Sequence, residues 1–296
     1  MERKMLFIYN PVSGKAHIKT YLNDIISIFT AGNFCVTVHP TSHALDGCDY
    51  IKNNYSSYDV ICVCGGDGML NEAVSALMTI DEKERPLFSY LPAGSTNDFA
   101  GTIGIPLDLR EAAKAIVDGA PFVCDAGAFN EKYFAYVAAF GAFTSVAYDT
   151  SQEFKNIFGH MAYVMEGIMS LPSIKPYHIK IKFDSGEIED DFLFGMITNS
   201  LQVGGMKHSI VKAISLNDGL FEVLLIKKPQ KPTDIQDMIT CVLKQDFDCD
   251  GIVNIKASKI TFESDEAISW TLDGEFGGEI KKAEITNIPR GFSVIV

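Results

Sequence analysis

Positive charge is scarce in this sequence of 296 residues: 25 lysines and arginines stand against 38 aspartates and glutamates, and the formal net charge is −13. Nonspecific binding to nucleic acid depends on a basic surface, so we expect no nucleic-acid partner. No apolar run approaches the roughly 20 residues that a membrane-spanning helix needs. The short apolar run near the start ends at Asn10 and Pro11, and we therefore expect no signal peptide.

Cysteine and histidine are too scattered to predict disulfides or a zinc site. The seven cysteines are odd in number, and Cys62 and Cys64 lie in an apolar, strand-like run with neither metal-type nor redox spacing. His39 and His43 are four residues apart, but Pro40 between them argues against a shared helical face. Buried, reduced thiols are the better interpretation, and they predict a cytoplasmic protein.

The composition and the hydrophobic pattern predict a globular protein with an α/β first half. Hydrophobic residues make up 47% of the sequence and charged residues 21%, and the length allows two domains. Tyr21, Ile25 and Phe29 recur at helical spacing, and 106–120 is typical of a further helix with Asp108 as its N-cap. Strands that alternate with such helices form parallel sheets covered on both faces. The strand-like runs are 5–9, 34–38, 59–64 and 87–92.

After about residue 121 the pattern changes to strand-like runs, with helical stretches only at 155–170 and 232–246. We therefore predict a fold of class α/β plus all-β. A Rossmann-like, parallel α/β nucleotide domain would cover residues 1–121, and an antiparallel β-sandwich would cover residues 122–288. The last strand, at about 289–296, could return to the first domain.

Glycine-rich turns follow three of the expected strands. They are "NPVSGK" (10–15), "GGDGMLNE" (65–72) and "PAGSTNDFA" (92–100), and each leads into a helix. In an open α/β sheet, ligands bind at the carboxyl ends of the strands. Exposed N–H groups at helix N-termini attract anions. Together these turns predict a ligand that carries phosphate.

The first turn is not a Walker A loop. It lacks the full glycine spacing of that motif, and Ala16 stands where a serine or threonine is required. Lys15 could still reach a phosphate. A solvated lysine at the start of a helix explains Lys15 equally well.

Asp67 lies at the centre of the second turn, where its carboxylate should repel phosphate. A divalent cation between them removes the conflict, because Mg²⁺ prefers one or two carboxylates together with substrate phosphates. The alternative is that Asp67 only caps the following helix. In the second half, Asp218, Asp273 and Glu275 lie in Asp-Gly turns, and turn formation alone could account for them.

Six segments, in order, resemble the diacylglycerol kinase catalytic-domain family, most closely its soluble bacterial lipid kinases, which the sphingosine kinases also resemble. They extend over nearly the whole chain, from Asn10 to Glu275. "GGDG" is shared with NAD kinases and phosphofructokinases, whereas the Asn-Asp-Phe turn and the late "LDGE" are far more specific. The segments are "NPVSGK", "GGDGMLNE", "PAGSTNDFA", "DAGAFN", "AISLNDGLFEV" and "LDGE".

The resemblance implies an ATP-dependent kinase that phosphorylates a lipid hydroxyl. It places the reaction in a cleft between a nucleotide domain and a β-sandwich domain. The nucleotide domain would be similar to that of NAD kinase and phosphofructokinase. It implies Asp67 and Glu275 as catalytic residues, with Asp67 holding Mg²⁺ and Glu275 acting as general base. It also implies a second, structural Mg²⁺ at Asp218 with backbone oxygens of Ser215 and Leu220. The residues implied to bind the nucleotide are Asn10, Pro11, Ser13, Gly14, Lys15, Thr41, Gly65, Gly66, Asp67, Gly68, Asn71, Glu72, Gly94, Ser95 and Asn97.

The sequence departs from the family at Met69, where a threonine is usual. Methionine can neither cap the helix nor donate a hydroxyl to phosphate, so we expect weaker ATP binding or a shifted nucleotide preference. Ser95 replaces a common threonine and keeps the hydroxyl. Asp125 and Asp98 are further candidates for the polar network around the second Mg²⁺.

The implied partner is a diacylglycerol-like lipid at a membrane surface, with peripheral membrane association and a homodimer as further expectations. Aromatic and methionine side chains at 133–143 and 160–170 suit acyl chains, although an ordinary core explains most of them better. Two other functions are open: an NAD kinase, and a catalytically silent lipid- or nucleotide-sensing protein. Lysines that could form a membrane-facing patch, or equally a solvated sheet edge, are Lys180, Lys182, Lys227, Lys228 and Lys231.

Overall fold

The computed structural model describes residues 2–13, 18–141, 175–200, 202–203, 206–207, 215–244 and 250–296. The first lobe comprises β1 (Arg3–Tyr9), α1 (Ile18–Ala31), β2 (Phe34–Pro40), α2 (Asp46–Asn54), β3 (Val60–Gly65), α3 (Asp67–Met78), β4 (Leu87–Pro92), α4 (Asp98–Ile103) and α5 (Leu109–Asp118). The second lobe comprises β5 (Pro121–Phe129), β6 (Lys132–Phe134), β7 (Val137–Gly141), β8 (Tyr177–Phe183), β9 (Gly186–Thr198), β10 (Gln202–Val203), β11 (Met206–Lys207), β12 (Phe221–Lys227), α6 (Pro232–Lys244), β13 (Ile252–Ala257), β14 (Lys259–Leu272) and most of β15 (Glu275–Ile295).

The strands of the first lobe are parallel and lie in the order β2-β1-β3-β4. Strand β3 is buried along its whole length, as expected for a strand with both faces covered. Helix α1 packs Ile25 and Phe29 into the core. Helix α5 begins after Asp108, whose carboxylate accepts two backbone N–H groups of the first turn. The predicted alternation of strands and helices is confirmed here.

The second lobe consists mainly of antiparallel pairs, in the order β13-β12-β9-β7-β14-β15. Its core surrounds Trp270 on β14. The Trp270 ring is fully buried and lies 4.8 to 5.1 Å, between ring centroids, from Phe129, Phe140 and Phe262. Helix α6 confirms the helix expected near 232–246, whereas the stretch 155–170 lies outside the described residues. The mixed α/β lobe followed by a lobe of many strands confirms the coarse fold class.

Strand β15 connects the two lobes. It is 21 residues long, Glu275–Ile295, and its first part pairs with β14. Its last part pairs with β5 and reaches β4, where Val294 lies opposite Phe88 in parallel register. Strands of both lobes therefore belong to one hydrogen-bonded sheet.

Among the helices that the structure describes, none combines the length and the apolar character required to cross a bilayer.

Candidate active site

The glycine turns that follow β1, β3 and β4 contact one another. A Cβ atom on Gly66, in the second turn, would lie 3.3 Å from Gly94 Cα in the third. The Ser13 hydroxyl of the first turn donates to the Ala93 carbonyl at 3.0 Å. The expectation that three turns meet at one sheet edge is therefore confirmed.

The first turn is described only in part, because Gly14 and Lys15 lie outside the described residues. Asn10 closes the beginning of this turn, because its side-chain oxygen accepts a hydrogen bond from the Val12 N–H at 3.0 Å. Thr41 follows β2, and its N–H donates to the Tyr9 carbonyl at 2.9 Å. Asn10 and Thr41 thus lie at the ends of neighbouring strands.

Asn97 shapes the third turn from within. Its backbone is left-handed, with φ 53°. Its amide oxygen accepts the Gly94 N–H at 2.8 Å, and its amide nitrogen donates to the Gly94 carbonyl at 3.0 Å. A side chain on Gly94 would collide with this amide and with Gly66. Asn97 is buried and holds the turn, whereas Ser95 is exposed at its tip.

Asp67 is the first residue of α3 and lies where the second and third turns meet. Its Oδ2 atom accepts a hydrogen bond from the Thr96 hydroxyl at 2.8 Å. Burial raises the pKa of Asp67; the Thr96 bond opposes this, and the nearby Asp98 charge adds to it. Thr96 was missed in the sequence, although its hydroxyl between Ser95 and Asn97 was a visible signal.

The surroundings of Asp67 fit a magnesium ion. Its second oxygen, Oδ1, is buried and has no partner of standard hydrogen-bond geometry within the described part of the chain, although the Tyr136 hydroxyl is near enough to Asp67 to lower its pKa. A buried, unpaired carboxylate oxygen is costly. A hard cation that prefers oxygen ligands removes that cost. Asp67 therefore has the free oxygen that a bound Mg²⁺ would need, beside backbone turns suited to phosphate.

Glu275 is the first residue of β15 and lies against the second glycine turn. Asp273 (φ 50°) and Gly274 (φ 86°) form a two-residue hairpin turn between the paired residues Leu272 and Glu275. Positive φ at both central positions is the type I′ geometry that Asp-Gly favours. A Cβ atom on Gly68 would lie only 2.6 Å from Glu275 Oε1. Glu275 of the second lobe thus lies against Gly68, the residue that follows Asp67 in the sequence.

A cavity of about 890 Å³ opens beside this contact. It is lined by both lobes, but Asp67 is not among its lining residues. Phe276, next to the carboxylate of Glu275, is 68% exposed at its edge. The lining residues from the first lobe include Asn10, Pro11, Thr41, Gly68, Met69, Asn71 and Glu72, and those from the second lobe include Tyr133, Leu272, Glu275 and Phe276.

Asn71 and Glu72 line the cavity and also fix neighbouring elements. The Asn71 amide nitrogen donates to Asp273 Oδ2 at 2.8 Å and to the Tyr133 carbonyl at 3.2 Å. Glu72 Oε1 accepts the Leu45 N–H at 2.9 Å, at the start of α2. These side chains therefore connect α3 to the second lobe and to α2.

Met69 is only 7% exposed, and its side chain packs against the backbone of Gly65 and Gly47. The departure from threonine thus fills a gap between β3 and α2. Gly65 has no room for a side chain while Met69 is present, and a Cβ atom on Gly47 would lie in tight contact, 3.1 Å from Met69 Sδ.

The second group of acidic residues lies on the loop before β12. Asp218 Oδ1 accepts the Leu220 N–H at 3.1 Å, and Oδ2 lies 3.6 Å from Lys256 Nζ. Lys256 is closer to Glu222, at 2.9 Å. The buried carboxylate of Asp125 accepts the N–H groups of Gly219 and Arg290, each at 2.7 Å, and so anchors this loop to β15. Ser215 donates its hydroxyl to the Asn217 side chain at 3.1 Å.

Four of the five lysines considered for a membrane-facing patch lie in ion pairs. This arrangement favours a solvated, mutually neutralised sheet edge. The pairs are Lys180 with Glu187 at 3.3 Å, Lys182 with Glu263 at 3.6 Å, Lys227 with Asp190 at 3.0 Å and Lys228 with Asp191 at 3.9 Å.

The aromatic stretch proposed for acyl chains is mostly core. Phe134, Ala138 and Phe140 have no exposed surface, whereas Tyr133 lines the cavity. The stretch 160–170 lies outside the described residues. The core interpretation is therefore the right one for most of 133–140.

Glycine turns at the strand ends of an α/β lobe, with one acidic residue among them and another facing them from a β-rich lobe, define a phosphotransferase of the kinase class. Comparisons with known proteins agree. The sequence profile described as "Diacylglycerol kinase catalytic domain" matches residues 4–129, and that described as "YegS C-terminal NAD kinase beta sandwich-like domain" matches residues 137–296. The chain belongs to the diacylglycerol kinase family, a family of lipid kinases.

Individual relatives match over nearly their full length. Diacylglycerol kinase of Bacillus subtilis (strain 168) is 30% identical over 99% of this chain and 96% of that protein. Diacylglycerol kinase of Staphylococcus aureus (strain MRSA252) is 28% identical over 99% of this chain and 92% of that protein. The crystal structure of a diacylglycerol kinase from Bacillus anthracis str. Sterne has the same fold, with a TM-score of 0.76 at 24% identity and coverage of 99% and 96%. A second crystal structure from that organism has a TM-score of 0.81 at 26% identity and coverage of 99% and 95%.

Proposed function

We propose that this protein is an ATP-dependent lipid kinase that transfers the γ-phosphoryl group to a hydroxyl of diacylglycerol or a related lipid. Mg²⁺ would be held at Asp67, and Glu275 would act as general base. The observation that carries this proposal is the contact between Gly68 and Glu275. This contact brings a carboxylate of the second lobe next to the Asp67 turn, at a cavity lined by both lobes.

The first lobe supplies the nucleotide site. Phosphoryl transfer depends on positioning and on stabilisation of charge. N–H groups of the three turns and the N-terminus of α3 would face the ATP phosphates, and Lys15 would add its positive charge. A Mg²⁺ ion bound at Asp67 supplies neutralisation of phosphate charge. Thr96 keeps Asp67 in place by its hydrogen bond of 2.8 Å.

Glu275 would take the proton of the attacking hydroxyl. As the lipid oxygen forms its bond to the γ-phosphorus, the O–H proton passes to a carboxylate oxygen of Glu275. The bond from the γ-phosphorus to the bridging oxygen breaks, and ADP leaves. The fixed hairpin turn before Glu275 suits this role, because a base must be held within hydrogen-bond distance of the reacting group.

The apolar side of the cavity supports a lipid acceptor. Tyr133, Leu272 and Phe276 line the cavity on the side of Glu275. Phe276 is 68% exposed, so its ring is accessible to an acyl chain that enters the cavity. Because four of the five lysines are ion-paired, we do not propose that they bind a membrane, and any membrane association would involve other parts of the surface.

We also propose a second, structural Mg²⁺ at Asp218, with backbone oxygens of Ser215 and Leu220. A single carboxylate with carbonyls and water suits Mg²⁺, and Lys256 has the closer partner Glu222. Added Mg²⁺ should then raise the melting temperature of the wild type by more than that of Asp218→Asn. Equal shifts in the melting temperatures of the two proteins would show that Asp218 does not bind Mg²⁺.

The proposed function is tested by phosphate transfer from labelled ATP to separate acceptors. Wild-type protein should phosphorylate diacylglycerol or another lipid alcohol, and Glu275→Gln should lower turnover by roughly 10²- to 10⁴-fold with an unchanged melting temperature. Glu279→Gln is the matched control, since Glu279 is an exposed glutamate on the same strand. Asp67→Asn should weaken binding of Mg-ATP.

The same assay decides between the alternatives. NAD as the preferred acceptor would identify an NAD kinase, the alternative suggested by the shared "GGDG" turn. Absence of any lipid-dependent ATP turnover would favour a catalytically silent sensor. Wild-type turnover in Glu275→Gln would remove Glu275 from the mechanism.

A further inference from the structure

We infer that Asp273 is a positioning residue, which fixes Glu275 relative to the helix that begins with Asp67. This inference rests on the proposed function, because it concerns the general base of that reaction. Asp273 would not touch substrate. It would act through the hairpin turn, two residues before Glu275 in the sequence.

The burial of Asp273 exceeds what a turn requires. Aspartate in an Asp-Gly hairpin turn is favoured because it tolerates a positive φ, and such turns are normally solvated. The Asp273 side chain is instead only 1% exposed. Turn formation explains its backbone, with φ 50°, and leaves the buried carboxylate unexplained.

The carboxylate of Asp273 accepts four hydrogen bonds. Oδ2 accepts from the Ala135 N–H at 2.6 Å and from the Asn71 amide at 2.8 Å. Oδ1 accepts from the N–H groups of Tyr136 and Val137, each at 3.0 Å. Four donors around an acceptor-only group form a complete network. The backbone donors are consecutive residues, 135–137, which follow β6 and include the first residue of β7, so the turn is fixed to the body of the second lobe.

Asn71 extends this network to the first lobe. It lies four residues after Asp67, one turn along α3, and therefore on nearly the same helical face. Its amide bonds both Asp273 and the Tyr133 carbonyl. The same helix meets the same hairpin a second time, where Gly68 lies against Glu275. Two contacts between α3 and the hairpin therefore fix the hairpin that precedes Glu275 relative to the helix that begins with Asp67.

Substitution Asp273→Asn removes this constraint with little change of size. An amide offers one acceptor oxygen, so at least one N–H or the Asn71 amide would face another donor. Misplacement of a catalytic group by about 1 Å can cost roughly 10²-fold in rate. We expect kcat to fall roughly 10- to 100-fold. The KM for Mg-ATP should change less than about twofold, because the turns that hold phosphate are untouched.

The decisive experiment combines Asp273→Asn with Glu275→Gln and measures single-turnover phosphate transfer to lipid. If Asp273 acts through Glu275, its substitution should have almost no further effect once the base is gone, since residues that act as a unit are not additive. An equal fold-loss in both backgrounds would overturn the inference. Full activity of Glu275→Gln alone would overturn both the base and its positioning residue, which distinguishes failure of the proposed function.

Two further variants distinguish a positioning effect from a general loss of stability. Asn71→Ala removes one donor and keeps the backbone bonds, so it should show the same non-additivity with a smaller loss of kcat. Phe262→Leu is the control for stability. Phe262 packs against Trp270 in the core, far along β14 from the turn, so its substitution should destabilise the protein without touching the hairpin. If Phe262→Leu, at an equal decrease in melting temperature, lowers kcat as much as Asp273→Asn, the effect is general destabilisation and the inference fails.

Discussion

Gly68 is the residue at which the second glycine turn contacts Glu275, the proposed general base. Its missing side chain leaves the space that Glu275 Oε1 occupies, 2.6 Å from where a Cβ atom would lie. Position 68 is the second residue of α3, where alanine is intrinsically more favourable than glycine. A methyl group there would displace the flexible end of Glu275 and leave the fold unchanged.

We therefore predict that Gly68→Ala lowers kcat at least roughly tenfold while the melting temperature stays equal or rises slightly. Activity with a lipid acceptor and thermal unfolding by circular dichroism are the two measurements. Ser27→Ala, at an exposed position on α1 away from the cavity, is the control for a small substitution on a helix of the same lobe. A variant with normal turnover would mean that Glu275 does not need its observed position.

Asp273 also predicts how stability depends on pH. Burial raises the pKa of Asp273 from 3.8 to about 6, although the Ala135 N–H, the Asn71 amide and the N–H groups of Tyr136 and Val137 favour the charged form. A raised pKa means that the folded state binds the proton more tightly than the unfolded state. The contribution to stability is therefore complete below about pH 4 and is lost as the pH rises through about 6.

The expected loss is about 3 kcal/mol of unfolding free energy across this window. Urea unfolding at pH 4, 5, 6 and 7 should show the wild type losing stability relative to Asp273→Asn as the pH rises, since asparagine does not titrate. The neighbouring Tyr136 stays neutral throughout, because burial raises its pKa well above the usual value. A constant difference between the two proteins would contradict the prediction.

At the scale of elements, the turn between β4 and α4 depends on Asn97. Both ends of its amide bond Gly94, and its left-handed backbone suits asparagine or glycine. We predict that Asn97→Ala raises the KM for Mg-ATP and destabilises the protein by about 2 kcal/mol, through lost hydrogen bonds and backbone strain. Asn97→Gly relieves the strain and should therefore be about 1 kcal/mol more stable than Asn97→Ala. Its KM for Mg-ATP should remain as high as that of Asn97→Ala.

Calorimetry and steady-state kinetics on these two variants separate the contributions. Equal KM values for Asn97→Gly and the wild type would show that the hydrogen bonds of the amide are not needed to shape the nucleotide site.

Elements of the first lobe could be read from the sequence because local patterns determine them. The apolar run that became β3 is buried on both faces, and Asp108 caps α5 as its position before a helical pattern indicated. The meeting of three turns followed from sheet topology alone. The sequence pattern predicts the tertiary structure correctly wherever the residues that form the pattern belong to a single strand or a single helix.

The network of Asp273 could not be read in this way. Its donors at 135–137 lie 136 to 138 residues away in sequence, and nothing in "LDGE" distinguishes a buried aspartate from a solvated one. The ion pairs of Lys182, Lys227 and Lys228 escaped for the same reason, since their partners are 37 or more residues away on neighbouring strands. Contacts of long sequence separation leave no periodic signal for one sequence to reveal.

At the scale of the whole molecule, β15 makes the two lobes interdependent. Val294 is fully buried where β15 meets β4, whereas the sequence's single tryptophan, Trp270, lies in the core of the other lobe. We predict that Val294→Ala, which costs roughly 1–3 kcal/mol, lowers the melting temperature seen by Trp270 fluorescence and by circular dichroism equally. Ser293→Ala is the control on the adjacent residue.

Separate transitions, with Trp270 fluorescence unaffected by Val294→Ala, would show instead that each lobe unfolds by itself despite the shared strand.

Strand β15 has a consequence for how the protein is made. On the ribosome, β4 emerges early, but its neighbour in the sheet is not synthesised until about two hundred residues later, at Val294. Throughout that interval the nascent parallel sheet of the first lobe carries an open edge, which can pair with any other extended chain. Completion of the first lobe's sheet must therefore wait for the final stage of translation, and a stalled or shortened product would be a substrate for chaperones.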